Sequence, residues 1–337
     1  MSRVAVLGGG TSPEHDVSRR SAAAVADALL AAGHDPVAVT IGRDGVWVDG
    51  GGPLGRTPAA SLAAGVVLLE GCDVVFPVLH GAPGEDGAIA ALADLAGLPV
   101  VGCPALGSAL AMDKHATKAV AAALGIGTAP GVLLLPGDPV PAVATPVVVK
   151  PTTAGSSFGV SVVRDPAGLA PAVALARTAG DAVLVEDYVR GREVQLAVIE
   201  DRDGALTVPP PIEYGVADGA VFDTSRKYDG TAVVRFPAEV DDTTAAALRD
   251  AATRLFRALG CRGLSRFDFF VTDDGFVLNE VNTMPGMTPQ SGFPRMCRAA
   301  GLDLPALVDE LVALALAGPV SGRTAPGGSR AAAPAPA

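Results

Sequence analysis

The chain has 337 residues, a formal charge of −11, and 49% hydrophobic residues with only 4% aromatics. That length suggests about two or three domains whose cores are filled by small side chains. No basic block or aromatic-basic interleaving occurs, so nucleic acid is excluded as a partner. No stretch of 18 or more apolar residues escapes Gly, Pro or charge, so no membrane span is expected. The N-terminus, MSRVAVLGGG, does not read as a signal peptide. Cys72, Cys103, Cys261 and Cys297 are far apart with no CxxC; they fit reduced, buried thiols in a cytoplasmic protein. Only four lysines, Lys114, Lys118, Lys150 and Lys227, stand among 25 basic residues. In a chain this biased toward arginine, a compact ammonium is worth tracing, with chance retention as the alternative.

Arg3 to Leu7 reads as a buried strand, followed by Gly8-Gly9-Gly10, Thr11-Ser12-Pro13-Glu14 and a helix from about Val17 to Ala32. This is an α/β start. The glycines do not form G-x-G-x-x-G, so no dinucleotide fingerprint is present. Glu14 is unusual at a turn that offers amides to an anion; it suits a cationic group, an ordinary first-turn acid being the alternative. Pro36–Ile41 reads as a strand, 50–65 as loop, Val74–Leu79 as a buried strand, Ala88–Ala96 as a helix and Pro99–Gly102 as a strand. His80 follows a strand's C-terminal end, where α/β sheets place ligand-contacting groups; a structural histidine is the alternative.

A helix runs from near Met112 to about Leu124 and carries Lys114 and Lys118. Pro146–Lys150 is a strand, then comes a glycine- and hydroxyl-rich hairpin loop, Pro151 to Val160, and a second strand, VSVV. Lys150 precedes the loop and a strand follows it, so this is not a P-loop. Its amides still suit phosphate. Ala182–Val185 is a strand leading to Glu186, Gly191 and Glu193. No element is assigned between there and a loop-rich stretch from Ala205 to Asp229. Val233–Pro237 is a strand and Asp242–Leu259 an amphipathic helix. A last helix spans about Leu304 to Ala317. Residues 319–337 are expected to form a disordered tail.

The stretch Arg266–Asn282, RFDFFVTDDGFVLNEVN, reads as a β-hairpin around Asp273-Asp274-Gly275. A three-residue loop with Gly275 left-handed puts Asp268 opposite Glu280 and Arg266 opposite Asn282. A two-residue Asp-Gly loop would pair Asp268 with Val281 instead. In the first register Arg266, Asp268, Glu280 and Asn282 share a face, and Phe267, Phe269, Val277 and Val281 point away. Two carboxylates and an amide suit Mg²⁺ or Mn²⁺ that still keeps substrate phosphates and water as ligands. A solvated polar face is the alternative.

GGTSPEHDVS, HGAPGEDGA, MDKHATK, VVVKPTTAGSSFGV, EDYVRGREV, RKYDG, RFDFF and NEVNTMPGMT stand in order from residue 9 to 288. Together they resemble the D-alanine–D-alanine ligases, an ATP-grasp family of cell-wall synthesis. The resemblance implies an α/β (α+β) ATP-grasp fold with a Rossmann-like N-terminal domain over 1–102, a central subdomain over 103–190 and a C-terminal subdomain with the metal site over 191–318. It implies that the carboxylate of one D-alanine attacks the γ-phosphate of ATP, and that the amine of a second attacks the acyl phosphate, for peptidoglycan precursors. Lys114 and Lys150 would hold ATP phosphates and Lys227 the γ-phosphate, with Lys118 unassigned. Glu186 would open the adenine-contacting segment and Glu193 would bind ribose. Asp268, Glu280 and Asn282 would hold two Mg²⁺ or Mn²⁺ ions, Glu280 bridging. Arg266 and the Gly286 amide would form the oxyanion site. Glu14 would hold the first ammonium, His80 would lie near that substrate's carboxylate, and Ser291 would bind the second carboxylate. Ser156 and Tyr228, with Glu14, would close the phosphate loop over the Lys227 loop. A homodimer is implied by the family alone.

Three departures from the family pattern bear on the acceptor. Ala154 stands where an acidic residue is usual. Gly292 stands where a larger apolar residue is common, which suggests a roomier second pocket. FDTSR before Lys227 is less aromatic than usual. The rivals are a ligase of the same fold using another D-amino acid or D-lactate, and a non-catalytic amino-acid- or nucleotide-binding regulatory protein.

Overall fold

The computed structural model describes residues 1–215 and 233–318. The first unit is a five-stranded sheet of order β4-β3-β2-β1-β5, made of β1 (Arg3–Gly9), β2 (Asp35–Ile41), β3 (Trp47–Asp49), β4 (Gly52–Pro53) and β5 (Val74–Pro77). β1 pairs in parallel with β2 and β5. Six of its seven residues are buried, as a strand covered on both faces requires. Helix α1 (His15–Ala31) lays Ser18, Ser21, Val25, Ala28 and Leu29 inward. Pro99–Gly102, expected as a strand, contributes a single bridge, Val75 to Val100.

The stretch 50–65, expected as loop, instead contains β4 and most of helix α2 (Pro58–Leu69). Thr57 caps the helix by accepting from Ala60 N–H, and Pro58 sits in its first turn. Gly65 lets it approach Trp47: a Cβ there would lie 2.5 Å from the indole. Helix α3 (Ala88–Leu95) follows β5.

Two helices, not one, surround Asp113: α4 (Ala105–Met112) and α5 (Lys114–Ala123). Asp113 leaves helical geometry and caps α5 through Ala116 N–H at 2.8 Å. The second sheet, order β6-β9-β7-β8, comprises β6 (Gly131–Leu134), β7 (Val147–Pro151), β8 (Ser161–Val163) and β9 (Val183–Asp187). Helix α6 (Leu169–Arg177), not foreseen, buries Leu169, Ala172, Val173 and Ala176.

The third sheet runs β13-β12-β10-β14-β15: β10 (Arg192–Glu200), β12 (Ile212–Gly215), β13 (Val233–Arg235), β14 (Leu264–Thr272) and β15 (Gly275–Asn282), with the two-residue β11 (Leu206–Thr207) beside β10. The central strand is β10, to which no element is assigned from the sequence. Val194, Leu196 and Val198 share a fully buried face with Phe267 and Phe269, packed with Leu248 and Leu255 of helix α7 (Asp242–Ala258). The other face joins the first unit. Ala197, Leu264 and Met284 share one core with Val6, Val25 and Phe76, closed by helices α8 (Gly292–Ala299) and α9 (Leu304–Leu316).

The hairpin uses the expected register at its functional end and another at its tip. Arg266 faces Asn282 and Asp268 faces Glu280. Past a bulge between Asp268 and Phe269 the register shifts, so Phe269 meets Leu278 and Thr272 meets Gly275. The loop is therefore two residues, Asp273-Asp274, and not three. The extra residue opposite the bulge is Asn279, which restores the pairing at the carboxylates. One consequence is that Leu278, not Val277, lies in the core with Phe269.

Candidate active site

Strand register aligns the polar groups across the third sheet. Ile212, Gln195, Asp268 and Glu280 occupy one row, and Tyr214, Glu193 and Phe270 the next. Period-two alternation sends these side chains to one face. Asp268 is fully buried and accepts a bidentate pair from Arg266, Nε at 2.7 Å and a terminal nitrogen at 2.8 Å. Gln195 and Asn282 each add a donor at 3.4 Å. Burial works against the Arg266 cation, but Asp268 and then Glu280 outweigh it and hold the guanidinium charged. Gln195 also donates to Glu193, itself buried, at 2.9 Å.

Three lysines lie beside this face, one of them reaching the row itself. Lys114 Nζ lies 3.3 Å from Glu280 and donates to Ala154 O at 2.8 Å. Lys150 Nζ reaches Asn279 Oδ1 at 3.2 Å and Glu186 at 2.7 Å. Lys118, unassigned from the motifs, pairs with the other oxygen of Glu186 at 2.5 Å. Glu186 thus sits between two ammonium groups, all three side chains being nearly inaccessible. Burial and then the Lys150 charge pull Lys118 below the usual lysine range, with Glu186 opposing.

The loop between β7 and β8 reaches the first unit. Ser156 donates its hydroxyl to Glu14. Ser156 and Ser157 both have positive φ, 47° and 57°, a conformation that costs a non-glycine residue energy. Gly155 fits beneath because a Cβ there would lie 2.7 Å from Glu14.

His80 and Glu85 grip the two backbone polar groups of one residue, Met284. His80 Nδ1 is 2.9 Å from Met284 O, and Met284 N–H donates to Glu85 at 3.4 Å. The carbonyl acceptor places the proton on Nδ1, so Nε2 accepts from Ser21 Oγ at 3.1 Å. Ser21 Oγ in turn accepts Met287 N–H at 3.2 Å. Burial lowers the His80 pKa against the opposing pull of Glu14, and burial followed by the Glu14 charge pushes Glu85 up to about 8. Both His80 nitrogens are engaged by protein, so here it anchors the Met284–Met287 segment. This segment carries Gly286, where a Cβ would lie 3.0 Å from Ser291 Oγ. Ser291 precedes α8 and shares a 2.8 Å hydrogen bond with Thr288.

Of the residues expected from sequence, those along a first edge form three adjoining polar groups: Arg266 and Asn282 on Asp268 with Glu193 linked through Gln195, Glu280 with Lys114, and Lys150 with Glu186, Glu280 lying opposite Asp268 in the hairpin. Glu14, Ser156 and His80 lie along a second edge, and Gly286 with Ser291 along a third. Lys227 and Tyr228 lie outside the described residues, as does the stretch 319–337. Gln195, Asn279, Glu85 and Ser21 were not anticipated. A polar residue in the middle of REVQLAVIE was the signal available for Gln195.

Residues 3–103 match the family model for the D-ala D-ala ligase N-terminus, and residues 139–313 the model for its C-terminus. The chain belongs to the D-alanine–D-alanine ligase family. The D-alanine–D-alanine ligase of Mycolicibacterium smegmatis is 41% identical over 94% of this chain and 96% of its own length. The D-alanine–D-alanine ligase A of Mesorhizobium japonicum is 40% identical, with 94% and 98% covered. Among solved structures, the D-alanine–D-alanine ligase from Coxiella burnetii superposes with a TM-score of 0.78 at 30% identity over 93% of each chain. The VanG D-Ala:D-Ser ligase from Enterococcus faecalis gives 0.77, also at 30%, over 93% of this chain and 99% of its own. The fold is therefore the family's ATP-grasp fold, as the motifs implied. Two neighbours of equal similarity are named for different acceptors, so the acceptor must be decided by residues at the second pocket. No helix among the described residues is long and apolar enough to cross a membrane, and all four cysteines are buried and free.

Proposed function

We propose that this chain joins two D-alanines into D-alanyl-D-alanine at the expense of ATP, releasing ADP and phosphate. The observation that carries this reading is the Asp268–Glu280 pair, set on one sheet face with Arg266 and approached by Lys114 and Lys150. A regulatory binding protein has no use for a buried guanidinium locked on a carboxylate beside a lysine cluster.

Attack of a carboxylate on a phosphate needs charge neutralised and atoms aligned more than it needs a covalent catalyst. Lys114 and Lys150 are placed to hold the phosphates of ATP, and Lys227 is assigned to the γ-phosphate from its motif. Glu186 and Glu193 border the nucleotide end as adenine-segment and ribose residues. Glu14 accepts the first substrate's ammonium while Ser156 fixes that carboxylate in place. Arg266 and the Gly286 amide face the carbonyl oxygen as it becomes tetrahedral, where fixed donors are most effective. Ser291 takes the second substrate's carboxylate. Closure of the Ser156 loop with Tyr228 keeps water from the acyl phosphate.

Two carboxylates and one amide fit divalent cations shared with phosphate. The Asn282 amide nitrogen faces Asp268, which leaves its oxygen for a cation, and Glu280 already attracts a positive group in Lys114. Mg²⁺ or Mn²⁺ would be held by Asp268, Glu280 and Asn282 and would neutralise the phosphates during transfer. We assign the working units to 1–102, 103–190 and 191–318, place the enzyme in the cytoplasm, where reduced thiols persist, and expect a homodimer. Incubation with D-alanine, ATP and Mg²⁺, with phosphate and dipeptide measured together, tests the reading. Equal amounts of each support it, and nucleotide binding without turnover refutes it.

A further inference from the structure

Gly292, expected to widen the second pocket, is not next to empty space. A Cβ built on it would lie 2.7 Å from Tyr214 Oη and 3.7 Å from both Gln195 Oε1 and Ile212 Cγ2. At 2.7 Å no side chain fits at position 292 unless the phenol moves. The phenol is held by its surroundings: Tyr214 stands on β12 opposite Glu193 and packs against the core that contains Met287, Phe293 and Met296.

Position and charge place this phenol at the acceptor end. It meets α8 one residue after Ser291 and shares a sheet face with Arg266 and Asp268. Its chemistry is that of a neutral hydroxyl: burial raises its pKa above the usual tyrosine value, against the pull of Arg266 and Arg295. A bulky aromatic from the sheet edge therefore occupies the volume that a larger side chain at 292 would otherwise fill. The two positions are a matched pair contributed by elements far apart in the chain.

We propose that Tyr214 is a specificity-determining residue, forming with Gly292 the wall that limits the second substrate to a small side chain. This rests on the placement of the acceptor carboxylate at Ser291. The wall is apolar in its ring and polar at its tip. It admits the methyl of D-alanine, can pair its hydroxyl with the hydroxymethyl of D-serine, and disfavours ethyl and propyl groups, which would set an apolar end against the phenol oxygen.

The test uses the full-length enzyme with ATP, Mg²⁺ and pairs of D-amino acids: D-alanine against D-serine, D-2-aminobutyrate and D-norvaline. Mass spectrometry with fragmentation reads which residue occupies the second position. Tyr214→Val should raise kcat/KM for D-2-aminobutyrate relative to D-alanine at the second position by tenfold or more, with the KM for ATP within twofold. Gly292→Leu alone should lose at least tenfold in kcat/KM for D-alanine. The double variant, Tyr214→Val with Gly292→Leu, should recover at least half of that loss on a logarithmic scale and restore selection against D-2-aminobutyrate. If Tyr214→Val does not fold, recovery in the double variant still decides the matter. Unchanged second-position preference in folded Tyr214→Val, or a double variant no better than Gly292→Leu alone, overturns the assignment. A wild-type enzyme that makes no dipeptide from D-alanine would instead refute the proposed function itself.

Discussion

Ser156, in the loop between β7 and β8, donates its hydroxyl to Glu14, 142 positions earlier in the chain. The bond ties the phosphate-covering loop to the residue assigned to the first ammonium. It also explains why Ser156 tolerates a φ of 47°: the partner over-determines a conformation that costs about 1 kcal/mol or more. Ser156→Ala removes the tie and leaves the fold intact. We expect its thermal midpoint within a few degrees of wild type and kcat lower by about tenfold or more. Phosphate released should exceed dipeptide formed, because a looser loop admits water to the acyl phosphate. Equal phosphate and dipeptide at wild-type kcat would show that the bond is incidental to closure.

Lys118 acquires a role from its partner. Glu186 is held by Lys118 and Lys150 together, so removing Lys118 leaves the carboxylate with one partner rather than none. Lys118→Met should destabilise the protein measurably, but by less than the cost of a fully unpaired buried charge, about 3 kcal/mol. It should also raise the KM for ATP, because Glu186 then draws Lys150 away from phosphate. Lys118→Met/Glu186→Gln should be less destabilised than the sum of the single variants. Additive denaturation energies would disconnect Lys118 from this network.

The motifs made the chemistry legible before the structure did, because each is local. RFDFF and NEVN name their own face once the hairpin is assumed. What stayed hidden depends on pairing or on missing contrast. PAASLAAGVVLL is small and apolar all round, so α2 shows no amphipathic face and the glycines nearby suggest loop. REVQLAVIE is buried on both faces, so β10 lacks the alternation that marks a strand. The Asn279 bulge arises because a tight two-residue turn and the Asp268–Glu280 pairing demand different registers. The Tyr214–Gly292 fit joins β12 to α8 across dozens of residues, and only the folded chain brings them together.

Glu85 gives a pH signature. Its folded pKa is pushed up to about 8 from an ordinary 4.5, so the folded state binds the proton more tightly than the unfolded state. That contribution is fully present below about 4.5 and is lost as pH rises through about 8, at no more than about 1.4 kcal/mol per pH unit. His80 has the opposite sign: its lowered pKa contributes stability above its ordinary 6.5 that is lost on acidification. Measured from pH 7.5 upward, where His80 is almost wholly neutral in both states, wild-type unfolding free energy should fall more steeply than that of Glu85→Gln. Parallel curves would place an ionised Glu85 in the folded protein.

The carboxylate pair carries the metal prediction. Glu280→Gln removes a charge proposed to hold the metal but keeps the side chain's shape. Turnover at millimolar Mg²⁺ should fall by about a thousandfold or more with the thermal midpoint largely retained. Chelation of the wild-type enzyme should abolish activity, and added Mg²⁺ or Mn²⁺ should restore it. Near wild-type turnover in Glu280→Gln would remove this residue from the metal site.

The most direct test is the product itself. The acceptor must attack as a free amine, and near neutral pH the ammonium form of D-alanine predominates, so dipeptide formation should rise with pH as the amine deprotonates. A hydroxy acid acceptor would not show this dependence. With D-alanine, ATP and Mg²⁺ at pH 6 to 9, and D-lactate present in excess, mass spectrometry should find D-alanyl-D-alanine with one ADP and one phosphate per dipeptide, and little D-alanyl-D-lactate. D-alanyl-D-lactate as the main product at pH 7 or above, or ADP formed with neither product, would contradict the central claim.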